Sequence, residues 1–127
     1  MDIIAALFLD DIQLRQVPGP ATRIDLTGVQ FSAPAPGPVP VTVAPHLVVL
    51  VWNPPDGEAF GALEVVFTRD GEQIARNVQA LEIEPGKFNY RLVRAELAFD
   101  GYDTVIAECR VGGGPSRTVP YTLLPPV

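Results

Sequence analysis

The sequence predicts an all-β fold, read as a two-layer antiparallel β-sandwich of about eight strands with little or no helix, on three observations. The 14 prolines and 11 glycines fall between the apolar runs and seldom inside them. No stretch of roughly ten residues free of Pro and Gly carries the i, i+3, i+4, i+7 apolar spacing of a helix without reading better as a strand. Short runs rich in β-branched and aromatic residues, each bounded by turn formers, recur instead.

The runs, in chain order, are residues 3–9, 23–31, 46–52, 63–69, 73–78, 88–99, 104–111 and 117–124. The first is apolar at every position and stops at Asp10-Asp11. In the second, Ile24 and Leu26 share a face, and the phase then changes across Gly28 to Val29 and Phe31. Glycine at a phase change predicts a β-bulge. Residues 33–45 are proline-rich, and Pro lacks the N–H that a central strand must donate. They are therefore expected to form an extended crossover between sheets or an edge strand, partly polyproline II. A proline-rich ligand segment is the weaker reading, because such segments normally sit in a free tail.

Residues 46–52 are again apolar on both faces. In 63–69, Leu63, Val65 and Phe67 alternate with Glu64 and Thr68, and Asp70-Gly71 then predicts a tight hairpin to 73–78, since Asp-Gly accepts positive φ. In 88–99, Phe88, Tyr90 and Leu92 are followed by Val93, Ala95, Leu97 and Phe99. That change of phase predicts a bend or bulge near Leu92–Val93, so that one strand serves both sheets. Asp100-Gly101 predicts a second hairpin to 104–111, and Gly112-Gly113-Gly114 a flexible turn to 117–124. No internal repeat or shift of composition divides the chain, so a single domain over 1–127 is expected.

Composition narrows the function classes. At 47% hydrophobic and 19% charged the chain is too apolar for disorder, and at this length it needs no disulfide or metal staple. The net charge of −6 and a pI of about 4.6, with basic residues scattered, disfavour nucleic acid and anionic membrane surfaces. The N-terminus departs from a secretion signal: Asp2 replaces a basic residue, the apolar run is short, and Asp10-Asp11 occupy the place of a cleavage site. A cytoplasmic location is the expectation. The excess of Arg over Lys, with abundant Ala, Pro, Gly and Val, is the composition of a GC-rich bacterial genome.

Catalytic groups do not assemble in the sequence. Nucleophilic catalysis needs a base beside the nucleophile, yet there is one histidine, His46, at the head of an apolar strand, and the only serines are Ser32 and Ser116. Cys109 alternates with Ala107 and Val111 and reads as a core residue that can form no internal disulfide. One His and one Cys exclude a zinc cluster within the chain. The acidic pairs Asp10-Asp11, Asp56/Glu58, Glu82/Glu84 and Asp100/Asp103 match no calcium loop and read as solvated turn residues. Neither a glycosidase carboxylate pair nor a phosphate-cradling glycine loop can be assigned. The expectation is a non-enzyme with no cofactor and no metal.

The doubly apolar runs 3–9 and 46–52 suggest a partner, because an antiparallel sandwich normally shows water one face of each strand. Either the second face is buried within the domain or it forms an interface. If Val48, Leu50 and Trp52 point inward, Leu47, Val49 and Val51 form that interface; the reverse assignment is the alternative. The function expected is a structural or interaction domain, self-associating or a subunit of a larger assembly. The runner-up is a small-molecule or carbohydrate-binding sandwich using end loops near Trp52, Asp56, Tyr90 or Tyr102.

Five segments, residues 7–11 (LFLDD), 26–31 (LTGVQF), 49–54 (VLVWNP), 67–71 (FTRDG) and 85–90 (PGKFNY), in this order, resemble a family of small uncharacterised bacterial, largely actinobacterial, domains of unknown function. The resemblance spans most of the chain. It implies an immunoglobulin-like or related sandwich, implies no activity, and transfers no functional residue.

Overall fold

The computed structural model describes residues 1–19 and 22–127, the side chain of Thr22 excepted. Twelve strands and no helix occur among them: β1 (Asp2–Leu9), β2 (Asp11–Gln16), β3 (Thr22–Thr27), β4 (Ser32–Pro34), β5 (Val41–Val43), β6 (His46–Trp52), β7 (Phe60–Arg69), β8 (Glu72–Glu82), β9 (Phe88–Arg94), β10 (Leu97–Phe99), β11 (Thr104–Val111) and β12 (Arg117–Leu124). They form a three-stranded sheet β1-β6-β9, a five-stranded sheet β4-β12-β11-β7-β8, and two ribbons, β2-β3 and β5-β10. Every pairing is antiparallel except β4 with β12.

One contiguous buried cluster joins the two larger sheets. The five-stranded sheet contributes Leu63, Val65 and Phe67 of β7, Val105, Ala107 and Cys109 of β11, and Val119, Tyr121 and Leu123 of β12. The period-2 alternation of these strands is the direct cause, since it sends every second side chain to the same face. The three-stranded sheet contributes Ile3, Phe8 and Val93 together with Leu47, Val49 and Val51. Phe8 and Tyr121 lock the middle of the cluster, ring centroids 5.1 Å apart and tilted at 55°, a favoured aromatic geometry.

The Asp70-Gly71 hairpin forms as the turn chemistry predicts, with φ of 51° and 80° at its centre and β7 paired to β8. Asp100-Gly101 does not make a hairpin. β10 pairs with β5, whereas β11 takes β7 and β12 as neighbours, so this turn carries the chain between sheets. A turn dipeptide sets local φ and ψ; it does not choose which strands will bury their apolar faces together.

The 88–99 run also differs from its expectation. β9 pairs with β6 over seven residues without a register shift, and the break falls at 95–96. Even positions simply face one way and odd positions the other throughout. What changes at Leu92–Val93 is the face that carries the apolar residues.

Residues 23–31 end as a strand at Thr27, and Gly28 turns the chain out at φ 68° instead of forming a bulge within a continuing strand. The amide of Asp10 donates to the Thr27 carbonyl at 3.0 Å, and a Cβ on Gly28 would collide with the Asp10 carboxylate. Gly28→Ala is expected to cost about 1–3 kcal/mol in urea denaturation, because an L-residue in this region is strained whatever its neighbours do. The proline-rich 33–45 segment joins an edge of the five-stranded sheet through β4 to the ribbon partner of β10 through β5. It is the crossover between sheets and the edge strand together.

Candidate functional site

Leu47, Val49 and Val51, expected as an interface, lie inside, each with no exposed surface. Phe8 and Val93 flank Leu47 in the sheet, and Ile3 flanks Val51. The reverse assignment of β6 is the one the fold adopts, because the opposite five-stranded sheet supplies an apolar surface only on that side.

The outer face therefore carries the other parity. Its cross-strand rows are Leu7–Val48–Leu92, Ala5–Leu50–Tyr90 and Asp2–Trp52–Phe88, with Leu9, His46 and Arg94 at one end. Ile4 is the extra residue of a bulge between Ile3 and Ala5. Val48 and Leu9 are covered; Trp52 (40% exposed) and Phe88 (37%) open to solvent at the other end, Ile4 (55%) is exposed in the β1 bulge, and Leu92 (41%) is exposed on β9 beside the covered Val48. Single exposed apolar residues are ordinary, but here Trp52 and Phe88 are cross-strand neighbours, and the half-buried Leu50 and Tyr90 connect them to Leu92 in one patch.

β9 builds this face by inverting its amphipathicity. Phe88, Tyr90 and Leu92 point outward, and Asn89 and Arg91 take the inward parity. These polar groups close the side of the molecule against β8. The Gln79 amide nitrogen donates to the Leu92 carbonyl at 3.0 Å, Arg91 donates to the Tyr90 carbonyl at 2.9 Å, and Asn89 Oδ1 accepts the Tyr90 amide at 2.8 Å. The Leu92 carbonyl and both peptide groups of Tyr90 on the outer edge of β9 are thereby satisfied within the chain.

At the open end, Asn53 is the one fully buried polar residue among those described. Its side-chain amide donates to the carbonyls of Glu58 at 2.9 Å and Ile83 at 2.7 Å. Its backbone donates to Lys87 and accepts from Gly86. One residue thus fixes both loops that flank Trp52 and Phe88.

The remaining candidates do not converge on a reaction centre. His46 Nδ1 lies 3.4 Å from the Asp10 carbonyl at the rim of the outer face. Cys109 is buried, and desolvation, assisted by the nearby Glu108 charge, pushes its thiol up to about 12. A raised folded pKa contributes stability fully present below the unfolded value and lost as pH rises through the folded one. Unfolding is accordingly expected to become easier between about pH 9 and pH 12, less so in Cys109→Ala. A thiol reagent at neutral pH is expected to label Cys109 only as the chain unfolds.

Among the described residues no three His, Cys, Asp or Glu side chains gather as metal ligands. A shallow cavity of about 190 Å³ is lined by Met1, Asp2, Val111 and Arg117 among others. Trp52 and Tyr90 share the outer face, whereas Asp56 and Tyr102 lie in separate loops. Sequence reasoning missed Phe88, Leu92 and Ile4 as surface residues, although the apolar even positions of 88–92 were the available signal. No family model matches the chain, and neither the curated proteins nor the solved structures contain a significant match.

Proposed function

We propose that this chain is a non-catalytic interaction domain, an immunoglobulin-like two-layer antiparallel sandwich whose outer β1-β6-β9 face seats a protein partner, a second copy or another subunit. The shared core of the two larger sheets supports the sandwich. The observation that carries the function is the set of solvent-exposed Trp52, Phe88 and Leu92 on one sheet face, with exposed Ile4 in the bulge of the neighbouring β1. Aromatic anchors ringed by aliphatic contacts are the composition of interface hot spots.

Trp52 is the only tryptophan, so its fluorescence reports directly on coverage of this face. A tagged chain is expected to co-purify in a stoichiometric complex whose emission is blue-shifted and shielded from acrylamide. Leu92→Glu, at an exposed position, is expected to abolish that complex with the fold intact. Recovery of both forms with Trp52 equally open to quencher would overturn the reading.

The adjacent Trp52 and Phe88 rings also favour a second reading, a stacking platform for a carbohydrate. The aliphatic rows beside them offer few hydrogen-bonding groups for sugar hydroxyls, which favours the protein partner. Saturable quenching of Trp52 by a soluble oligosaccharide would reverse that order.

A further inference from the structure

From the open edge of β8 we infer that two copies of this chain pair antiparallel through their β8 strands, about a two-fold axis at Gln79, joining their five-stranded sheets into one. This surface is separate from the apolar face proposed above.

The backbone orientation of β8 follows from one hydrogen bond. The Gly112 amide donates to the Ala62 carbonyl at 3.1 Å, so the peptide groups of Ala62 point towards β11. Ala62 stands opposite Ala80, and in an antiparallel ladder such a pair exchanges no hydrogen bonds. The N–H and C=O of Ala80 therefore point away from β7. By the period of two, so do those of Arg76, Val78 and Glu82. No strand pairs with this side of β8 among the described residues. Among the described residues its one intrachain partner is Arg91 Nη2, at a long 3.4 Å from the Ala80 carbonyl.

The other edges of the two larger sheets are shorter or are met by other groups; on the eight-residue β1 the Phe8 carbonyl accepts the Gln30 amide at 2.9 Å. On the outer edge of β9, Gln79, Asn89 and Arg91 side chains occupy the Leu92 carbonyl and both peptide groups of Tyr90. β4 is three residues long and ends in Pro34, which suits an edge left unpaired. β8 runs for eleven residues with no proline.

The charges on β8 select both the partner and the register. Arg76 and Glu82 lie three residues either side of Gln79 and carry opposite signs. The half-exposed Arg76 guanidinium also holds the Glu64 carboxylate of β7 at 2.6 Å, so Arg76→Glu loses that pair as well and the mixing experiment, not the single variant, isolates the contact between copies. Antiparallel pairing about Gln79 sets Arg76 of each copy opposite Glu82 of the other and Val78 opposite Ala80. Val78 is 52% exposed in the single chain. Both pairs join residues whose peptide groups point outward, as ladder hydrogen bonds require. A register centred one residue earlier would set Arg76 opposite Ala80 and forfeit the charge match.

Sedimentation velocity over the micromolar range tests the pairing. The wild-type chain is expected as a dimer. Val78→Pro removes an N–H that has no intrachain ladder partner and is expected to give a folded monomer. Arg76→Glu and Glu82→Arg each place like charges opposite one another and should weaken self-association at least tenfold. Mixing the two variants should restore the dimer, because a heterodimer regains both opposite-charge pairs. Leu92→Glu should leave it unchanged. A monomeric wild type, a dimer that survives Val78→Pro, or a mixture that does not associate would overturn the inference. Association lost in Leu92→Glu and kept in Val78→Pro would overturn it while leaving the apolar-face reading standing.

Discussion

Leu47→Asp is expected to unfold the chain at neutral pH. Leu47 has no exposed surface and stands between Phe8 and Val93, so the new carboxylate would meet no cation in its row. Loss of the buried side chain costs about 2–5 kcal/mol. Burying an unpaired charge adds about as much again, and a domain of this size has only about 5–15 kcal/mol to lose. Circular dichroism should show loss of the β signal, and one-dimensional NMR loss of shifted methyl resonances. The mutant carboxyl would have a folded pKa above its unfolded value, so acidification should recover part of the stability. Leu92→Glu, one strand away on the opposite face, is the control expected to remain folded. If Leu47→Asp folds and merely fails to associate, Leu47 belongs to an interface and the orientation of β6 is wrong.

Asn53→Ala is expected to destabilise the chain by about 2–5 kcal/mol, since the buried carbonyl of Ile83 and the partly buried carbonyl of Glu58 each lose their donor. Asn53→Asp should be worse at neutral pH, where the carboxylate meets those same oxygens, and should improve as pH falls and one proton becomes available to donate. Urea denaturation at two pH values distinguishes the cases. Equal stability of wild type and Asn53→Ala would show that water replaces the lost bonds. Gly57→Ala tests the same hub from outside, because a Cβ there would collide with Asn53 Oδ1. Loosening of both loops should also shift the emission of Trp52.

Strands whose pattern and boundaries are both local were legible in advance. Residues 46–52, 104–111 and 117–124 coincide with β6, β11 and β12, and Asp70-Gly71 marks the β7–β8 hairpin. β2 was not expected, and for residues 33–45 an edge strand was one of two readings, without the bounds or partners of β4 and β5. β4 and β5 are three residues each and contain or adjoin proline, and their strand character comes from partners distant in sequence. β2 is mostly polar, and only its ladder with β3 defines it. The candidate site was half legible: the doubly apolar β1 and β6 flagged a covered second face, but not which face it was.

Periodicity and turn residues were enough to determine an all-β chain and the parity of the regularly alternating strands. Parity divides a strand into two sets of side chains and cannot label either set as inner. That label came from tertiary structure, where the apolar face of β7, β11 and β12 covers Leu47, Val49 and Val51 and leaves Trp52, Phe88 and Leu92 in solvent. The same packing carries β9 straight through Leu92–Val93, where a bend or bulge was expected, polar inward and apolar outward over its first half, and the run breaks instead at 95–96. Burial is a relation between distant segments, and for a strand apolar on both faces only the partner sheet decides it.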